Sequence, residues 1–411
     1  MSRSMVLATV AVSMLSATAR AEVINLSDAM RRADQRPEVA VVRAEVAAAL
    51  GDADQAGRPL YNPELGAAAG PRLGGGNTRV EVELSLSQVF ELGGKRAARR
   101  DAASAQAAVV RARLDAVRRL AQLKVWQAYN LALAAQARVA AASDVEQLAQ
   151  QLSDATATRL GLGDDTLLQV NLTAAELGRA RHERLDAETS YESAITELGR
   201  TVGAPAQDRV EPAGELPTLA ELPWSESDFA ARAAADRPEL TAARAAITAA
   251  KAEVRLADAL GTPDLGLGIS YGLESDPDTT NHVLLFGATV TLPVRNRNQG
   301  GRAAARARER GVTIDAARVT VDVEREARLA WRTHQRALAA VRGYDLEVNA
   351  RLKENLDLAR QSFEAGKIDY FEFNLVRREL IASRAAYLDA MAEAIVAHAA
   401  IVRAVGGEDL R

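Results

Sequence analysis

Two acidic residues, Asp369 and Glu372, follow a glycine-centred break in a long helix-forming stretch. The break lies at Gly366, and Ala-rich sequence that favours helix continues on both sides of it. Acids at this position could cap the N-terminus of the following helix, where negative charge is favoured. If they faced a water-filled passage instead, the same carboxylates would repel anions and attract cations. The residue types alone leave both roles open.

A second break of the same kind lies about half a chain earlier, at Gly161. Glycine permits the backbone conformations that a tight reversal between two antiparallel helices requires. We therefore interpret both breaks as the tips of long helical hairpins. The predicted tip residues are Gly161, Gly163, Asp164, Asp165, Gly366 and Lys367.

The sequence offers no pattern for catalysis or for a cofactor. It contains no nucleophile elbow, phosphate loop or zinc motif. The four histidines, His182, His282, His334 and His398, are scattered without the spacing of metal ligands, and cysteine is absent. The net charge of −4 provides no basic surface for nucleic acid. We expect no enzymatic activity, no cofactor, no protein-held metal and no nucleic-acid partner.

Residues 1–21 predict a signal peptide. Arg3 supplies a positive start, Met5–Leu15 is an apolar stretch too short to cross a bilayer, and Ala19-Arg20-Ala21 is a small-residue cleavage site. A buried first helix is the alternative, but the sharp change to polar sequence at Glu22 favours cleavage. We expect an exported protein without disulfides or a lipid anchor, because the chain has no cysteine.

A duplicated unit occupies most of the chain. The tripeptide Arg36-Pro37-Glu38 recurs at 237–239, and the Gly161 break is matched by the Gly366 break. We predict a first repeat over 22–204, an irregular linker over 205–223, a second repeat over 224–407 and a tail over 408–411.

Each repeat is predicted to contain a helix, two strands, a very long helix, a turn and a return helix. The first helices are expected over 27–57 and 225–261, with Ser27 or Asp28 as the first N-cap. Their closing signals are the glycines and prolines that follow.

The long helices are expected from Gly94 to about Arg159 and from Gly301 to about Phe363, because neither stretch contains proline. Each would be on the order of 90 Å long. The return helices follow over 165–202 and 369–405. A narrow apolar stripe marks the second long helix: Leu338, Val341, Tyr344, Val348, Leu352, Leu356, Ala359 and Phe363.

Four segments alternate apolar and polar side chains, which is typical of β-strands. In the clearest of them Val80, Val82, Leu84 and Leu86 point to one side, and charged or polar residues point to the other. The strands are expected over 65–73, 78–87, 265–273 and 284–292. Beyond the signal peptide no run of roughly 18 apolar residues predicts a transmembrane helix. Any entry of the exported chain into a membrane must therefore use these strands.

Strands of this length can cross a bilayer when tilted, but four of them cannot close a barrel. An open sheet edge is not tolerated in lipid, so several copies of the chain must share one barrel. Three copies of four strands give twelve, whereas two copies would give a barrel that side chains fill. The alternative is a soluble β-sandwich on a helical stalk. Strand length and alternation, together with the signal peptide, favour the membrane interpretation.

The junctions between elements resemble those of a known family. The motifs are Phe90-Glu91-Leu92-Gly93-Gly94-Lys95-Arg96, Pro293-Val294-Arg295-Asn296-Arg297-Asn298-Gln299-Gly300 and Phe363-Glu364-Ala365-Gly366-Lys367-Ile368-Asp369. Together with the duplicated plan, they resemble the TolC-like outer membrane efflux proteins, above all the heavy-metal members that serve cation-exporting RND pumps. The resemblance implies a mainly α-helical fold with a β part. It implies a homotrimer with a 12-stranded outer-membrane β-barrel, four strands from each chain, on a long periplasmic α-helical barrel. Some members carry a lipidated N-terminal cysteine, which this chain lacks, so we predict a non-lipidated form.

The resemblance also implies roles for residues. The hairpin tips are expected to contact a periplasmic adaptor, and the inner helix of the second repeat is expected to narrow the pore. Asp369 and Glu372 are then the candidates for the constriction, since three-fold symmetry turns each carboxylate into a ring of three. Relatives with two such acids carry the second one turn later, where this chain has Leu375. Helix capping stays the alternative role. The junction glycines are Gly93, Gly94, Gly300 and Gly301.

We therefore expect a passive channel in the outer membrane of a Gram-negative bacterium that extends into the periplasm. Its expected partners are two further copies of the chain, outer-membrane lipid, a periplasmic adaptor and an inner-membrane RND pump. Heavy-metal cations are the expected cargo. The alternatives are drug or solvent efflux, type I protein secretion, and a soluble periplasmic coiled-coil scaffold.

Overall fold

The computed structural model describes residues 21–74, 77–163, 165–275, 279–344, 352–365, 367–368 and 370–406. Helices predominate, with a small β part, as the sequence predicts. The elements in chain order are β1 (Ala21–Ile24), α1 (Leu26–Ala33), α2 (Pro37–Ala56), β2 (Glu64–Gly74), β3 (Asn77–Phe90), α3 (Lys95–Leu162), α4 (Leu167–Val202), β4 (Arg209–Pro212), α5 (Glu226–Asp236), α6 (Pro238–Ala259), β5 (Leu265–Ser275), β6 (Thr280–Val290), α7 (Gln299–Gly343), α8 (Leu352–Glu364) and α9 (Tyr370–Val405). Two helices, two strands and long helices follow one another in each half, while the exact bounds of the repeats stay a prediction.

The first helix of each half is divided, which corrects the single helices expected there. Pro37 opens α2 and Pro238 opens α6, because proline suits the first turn of a helix but cannot donate to the preceding one. The first N-cap is Asn25 rather than Ser27 or Asp28: its Oδ1 accepts from the Asp28 amide at 2.9 Å.

The long helices follow the prediction in the first half and differ from it in the second. The helix α3 has 68 residues without interruption. The expected continuous helix to Phe363 is wrong, since α7 ends at Gly343 and Tyr344 lies in a bend; residues 345–351 lie outside the described residues, after which α8 is described from Leu352. Buried positions in the predicted stripe include Leu338, Val341, Leu356 and Ala359, whereas Val348 lies outside the described residues.

The chain forms two compact units, and the first is mainly helical. It comprises Met1–Arg36, Ala121–Glu221 and Thr333–Ala400. One of its cores joins Ala134 on α3, Val341 on α7 and Ile395 on α9, with Trp126 packed against them.

A two-stranded parallel sheet in this unit was not predicted. The strand β4 lies within the segment expected to be an irregular linker, and pairs with β1 from Ala21↔Arg209 to Ile24↔Pro212. The Tyr129 hydroxyl of α3 donates to the Ala213 carbonyl oxygen, and the Ile24 carbonyl oxygen lies 3.3 Å from the same hydroxyl. Leu216 and Leu219 of the same segment pack beside Trp126. The strands β1 and β4 are nearly two hundred residues apart in the sequence, and pairing over that distance leaves no local pattern. The prediction of an irregular linker is therefore wrong for Arg209–Pro212.

The second unit comprises Pro37–Leu120, Leu222–Arg332 and Ile401–Arg411. It contains an antiparallel sheet in the order β2-β3-β5-β6, so that the two hairpins pair through β3 and β5. Its helical core joins Phe229, Leu240, Ala327 and Ile401.

One face of this sheet is apolar and exposed. The register places Leu65, Leu86, Ile269 and Phe286 side by side across all four strands, and their exposed fractions are 81%, 48%, 36% and 78%. Burial in a soluble core therefore does not account for the alternation that the sequence shows in these strands.

By length and composition, one helix among the described residues could cross a membrane: Glu372–Val405 within α9, with mean hydropathy 1.4. Ala394 and Ile395 of this segment are fully buried in the helical core of the first unit. Core helices commonly meet the same criterion of length and composition. The expectation that only strands enter the membrane stays a prediction.

Candidate functional site

The first hairpin tip reverses at Gly163, not at Gly161. Gly161 is still helical, and α3 ends at Leu162. Gly163 has φ +82°, a left-handed conformation that glycine adopts without strain. Asp164 lies outside the described residues.

The following helix is capped by Thr166 rather than by Asp165. The Thr166 side chain accepts from the Gln169 amide at 3.3 Å, while Asp165 Oδ1 accepts from the Thr166 amide at 2.8 Å. Asp165 is therefore placed at the tip as predicted, but it supports the capping residue instead of capping the helix.

At the second tip, Gly366 and Asp369 lie outside the described residues, so their predicted roles stay predictions. The Lys367 amide donates to the Ser362 carbonyl at 2.9 Å, which closes the end of α8. Lys367 is exposed. Glu372 is exposed in the first turn of α9.

An aromatic core holds this first turn of α9 in place. Phe373 is fully buried, and its ring stacks on that of Phe363 with centroids 5.3 Å apart. Leu152 and Leu356 pack in the same cluster, and the Arg159 guanidinium lies 5.2 Å from the Phe363 centroid. Phe373 therefore packs inside the hairpin, whereas the side chain of Phe371 lies outside the described residues.

The buried Phe373 orients its neighbour Glu372. Because successive helical residues are 100° apart, a buried Phe373 leaves Glu372, Leu375 and Val376 on the outer side, where all three are exposed. Glu379 continues this exposed face two turns further along. This side of α9 thus exposes one acid and two apolar side chains.

A cavity of about 590 Å³ lies in the first unit between α3, α4 and α9. Its charged lining includes Arg138, Glu176, Arg179, Arg377, Arg378 and Arg384. Arg377 is buried and forms an ion pair with Glu176, while Arg138 pairs with Asp389. Sequence reasoning missed these pairs because each joins residues from different halves of the chain, and only charge at isolated positions was visible.

The first strand-to-helix junction needs both of its predicted glycines. Gly93 and Gly94 have φ +68° and +70°. A Cβ on Gly93 would come within 2.6 Å of the Thr262 Cβ, whereas a Cβ on Gly94 would meet nothing within 4 Å. Lys95 then opens α3 with its Nζ 2.7 Å from Asp264 Oδ1.

The second junction is built differently. Gly300 and Gly301 lie within the first turn of α7 and do not have positive φ. Asn298 takes the left-handed conformation instead, with φ +56°, and its side-chain amide donates to the Ala257 carbonyl at 2.8 Å. Asparagine tolerates this conformation better than most residues, which the sequence motif did not reveal.

Within the described residues no group of three or more His, Cys, Asp or Glu is placed to hold a metal ion. The four histidines are scattered along the sequence, but two of them are in contact in the structure. His334 and His398 lie against each other in the first unit.

Known proteins resemble this chain over most of its length. The curated relatives include the cobalt-zinc-cadmium resistance protein CzcC of Cupriavidus metallidurans, 25% identical over 352 residues that cover 85% of this chain and 82% of the relative. The nickel-cobalt-cadmium resistance protein NccC of Alcaligenes xylosoxydans is 28% identical, covering 74% of this chain and 68% of NccC. The alkaline protease secretion protein AprF of Pseudomonas aeruginosa is 25% identical, with 63% and 64% covered.

Solved structures share the fold. The crystal structure of CusC matches with a TM-score of 0.72 at 18% identity, over 93% of this chain and 92% of CusC. The outer membrane protein VceC of Vibrio cholerae matches with a TM-score of 0.70 at 20% identity, over 93% and 96%. At these identities the likeness concerns the fold alone.

The family model named outer membrane efflux protein matches residues 30–204 and 230–407, which is most of the chain. This match confirms the resemblance that the junction and tip motifs indicated, including its heavy-metal members. The chain belongs to the outer membrane efflux protein family.

Proposed function

We propose that three copies of this chain form an outer-membrane channel that passively conducts substrate from an inner-membrane RND pump and a periplasmic adaptor to the exterior. The observation that carries the proposal is the four-stranded sheet, whose apolar face is exposed across every strand. Lipid is the solvent in which such a face is stable.

The order of the strands supports a shared barrel. The edges of the sheet are β2 and β6, and an edge in lipid needs a partner strand for its backbone amides and carbonyls. In the proposed trimer β2 of one copy pairs with β6 of the next, so that twelve strands close without an edge. Glu81 and Glu83 alternate with the exposed apolar residues of β3, and their side of the sheet would line the water-filled interior.

The helical unit would extend into the periplasm, with the hairpin tips as the surface for the adaptor. Glu372 and Asp369 would then stand near the three-fold axis, where rings of carboxylates favour cations over anions. The exposed Glu372 beside the buried Phe373 supports this role. Export through cleavage of residues 1–21 belongs to the same proposal.

Heavy-metal cations are the proposed cargo, because CzcC and NccC carry metal resistance in their names. AprF, named for alkaline protease secretion, favours protein secretion as the second candidate. Susceptibility of a deletion strain to cobalt, zinc, cadmium and nickel, compared with its secretion of protease, separates the two. Metal sensitivity with intact secretion supports the first, and lost secretion with unchanged metal tolerance supports the second.

The barrel itself is tested by cross-linking, since the chain has no cysteine of its own. We would place one cysteine at Ala69 on the edge strand β2 and a second at Leu284, Phe286 or Ala288 on β6, all on the apolar face of the sheet. At least one pair should form disulfides between copies, giving dimers and trimers in the outer-membrane fraction and nothing larger. A cysteine at Ile269, on the same face of the central strand β5, is the control and should not cross-link. A soluble monomer in every variant would instead support the periplasmic scaffold.

A further inference from the structure

Two histidines from two helices of the second repeat meet inside the first unit. His334 lies on α7 and His398 on α9, with His398 Nδ1 3.3 Å from His334 Nε2 and ring centroids 5.4 Å apart. His334 is fully buried, and its Nδ1 has no hydrogen-bond partner among the described residues. Among the described residues, His334 therefore relies on His398 for the hydrogen bond of its ring.

An aromatic ring and an apolar core adjoin the pair. The Trp126 ring of α3 lies 5.2 Å from the ring of His398. The adjoining core contains Ala337, Ala394 and Ile395, and neutral groups from other elements pack against it: Leu216 and Leu219 from the segment after β4, Tyr344, and Tyr387 from α9. The charge that acts on His334 is that of His398.

Two facing imidazoles can hold a limited number of protons. When both rings are neutral, one ring nitrogen donates to the lone pair of the other. When one ring is charged, it can still donate to the neutral one. When both are charged, two N–H groups face each other, and two positive charges share an apolar site. Burial first, and then the charge of His398, lower the pKa of His334 to about 4.

We propose that the His334–His398 pair makes the packing of α3, α7 and α9 in the first unit sensitive to acid. The geometry carries the proposal: a fully buried His334 contacts a partly buried His398, which lies next to Trp126. Acidification adds a second proton to the pair, which this core cannot accept without separating the helices that bring the two rings together. The proposal concerns the stability of the helical unit and does not depend on what the protein conducts.

The direction of the effect follows from proton linkage. An unfolded histidine gains its proton near pH 6.5, whereas the folded His334 does so only near its lowered pKa. The stabilising effect of the neutral pair is complete above about pH 6.5 and declines as the pH falls from there towards 4.

The first test is a titration of the full-length protein in detergent micelles, with histidine ring signals followed by NMR. The His334 signal should titrate at least about one pH unit below the value of about 6.5 for a free histidine. A midpoint of about 6.5 or higher for His334 would overturn the proposal.

The second test compares the pH dependence of thermal unfolding among variants. His334→Gln keeps a polar nitrogen near the Nε2 position, and His398→Asn keeps one near Nδ1, but neither can take up a proton in this range. Between about pH 7 and pH 5 the wild-type midpoint should fall by roughly 2–4 °C more than that of the double variant. His182→Gln is the control and should behave as wild type. Parallel curves for wild type and double variant would contradict the proposal, even if both variants are less stable at pH 7.

Discussion

Arg377 on α9 is buried against the carboxylate of Glu176 on α4. The exposed fractions of the two side chains are 6% and 22%, and Arg377 Nε has no hydrogen-bond partner in the described part of the chain. An ion pair removed from water holds its two elements at a defined separation, because either charge left alone would be costly. This pair joins the return helices of the two hairpins a short distance from the tip that carries Glu372.

Arg377→Ala should lower the stability of the helical unit by about 3 kcal/mol, because Glu176 would keep a largely buried charge without its partner. Thermal unfolding in detergent, followed by circular dichroism, measures the change. Arg378→Ala is the matched control, since Arg378 is exposed and adjacent. Adding Glu176→Gln to Arg377→Ala should recover part of the loss. Strictly additive losses would show that the two side chains do not act as a pair.

Phe373→Ala should cost about 3–5 kcal/mol, since it removes a fully buried ring and its stack on Phe363. Leu375→Ala, two residues further on, removes a side chain that is 60% exposed and should change stability by less than about 0.5 kcal/mol. Hydrogen exchange at the start of α9 would locate the effect. If both variants exchange equally fast there, Phe373 does not hold the tip.

Gly93→Ala should destabilise the junction more than Gly94→Ala does. Both changes put a side chain on a left-handed residue, at a cost of about 1 kcal/mol, but only the Gly93 change also drives a Cβ into Thr262. Yield of folded protein in the outer membrane and the unfolding midpoint are the measurements. Adding Thr262→Gly should bring Gly93→Ala back towards Gly94→Ala. Equal behaviour of the two single variants would argue against the steric explanation.

Glu372→Gln should reduce the preference of the channel for cations over anions, because three carboxylates would leave the proposed constriction together. The reversal potential across a planar bilayer under a potassium chloride gradient reports this preference. Glu393→Gln, also exposed on α9, is the control and should leave it unchanged. Asp369→Asn extends the test to the second predicted acid. If neither Glu372→Gln nor Asp369→Asn shifts the reversal potential, the constriction lies elsewhere.

Local patterns predicted a large part of this fold. The alternation around Leu84 located β3, and the absence of proline after Gly94 located α3, since both signals arise within a few residues of each other. The end of α4 was also predictable, because glycine commonly follows the last turn of a helix. Gly203 stands there, and its φ is +72°. Patterns of this kind report the conformation that a segment prefers by itself.

Other features depend on partners that are distant in sequence. The strand β4 forms because it pairs with β1 in parallel. No property of Arg209–Pro212 alone predicts that pairing. The positions of His334 and His398 in the sequence do not predict that helix packing brings their rings into contact. The division of the first helix at Pro37 was a local signal that sequence reasoning gave too little weight.

By itself the sequence determined the order of the long helices and of the four strands in the larger sheet, the glycines that the first junction requires, and the family to which the chain belongs. Propensity, periodicity and turn chemistry act over short distances and can therefore be read along the chain. Only the tertiary structure decided which side of α9 exposes Glu372, which charges pair in the interior, and that two histidines share an apolar site. Those features arise from packing between helices that are far apart in the chain, where burial sets the cost of every polar group.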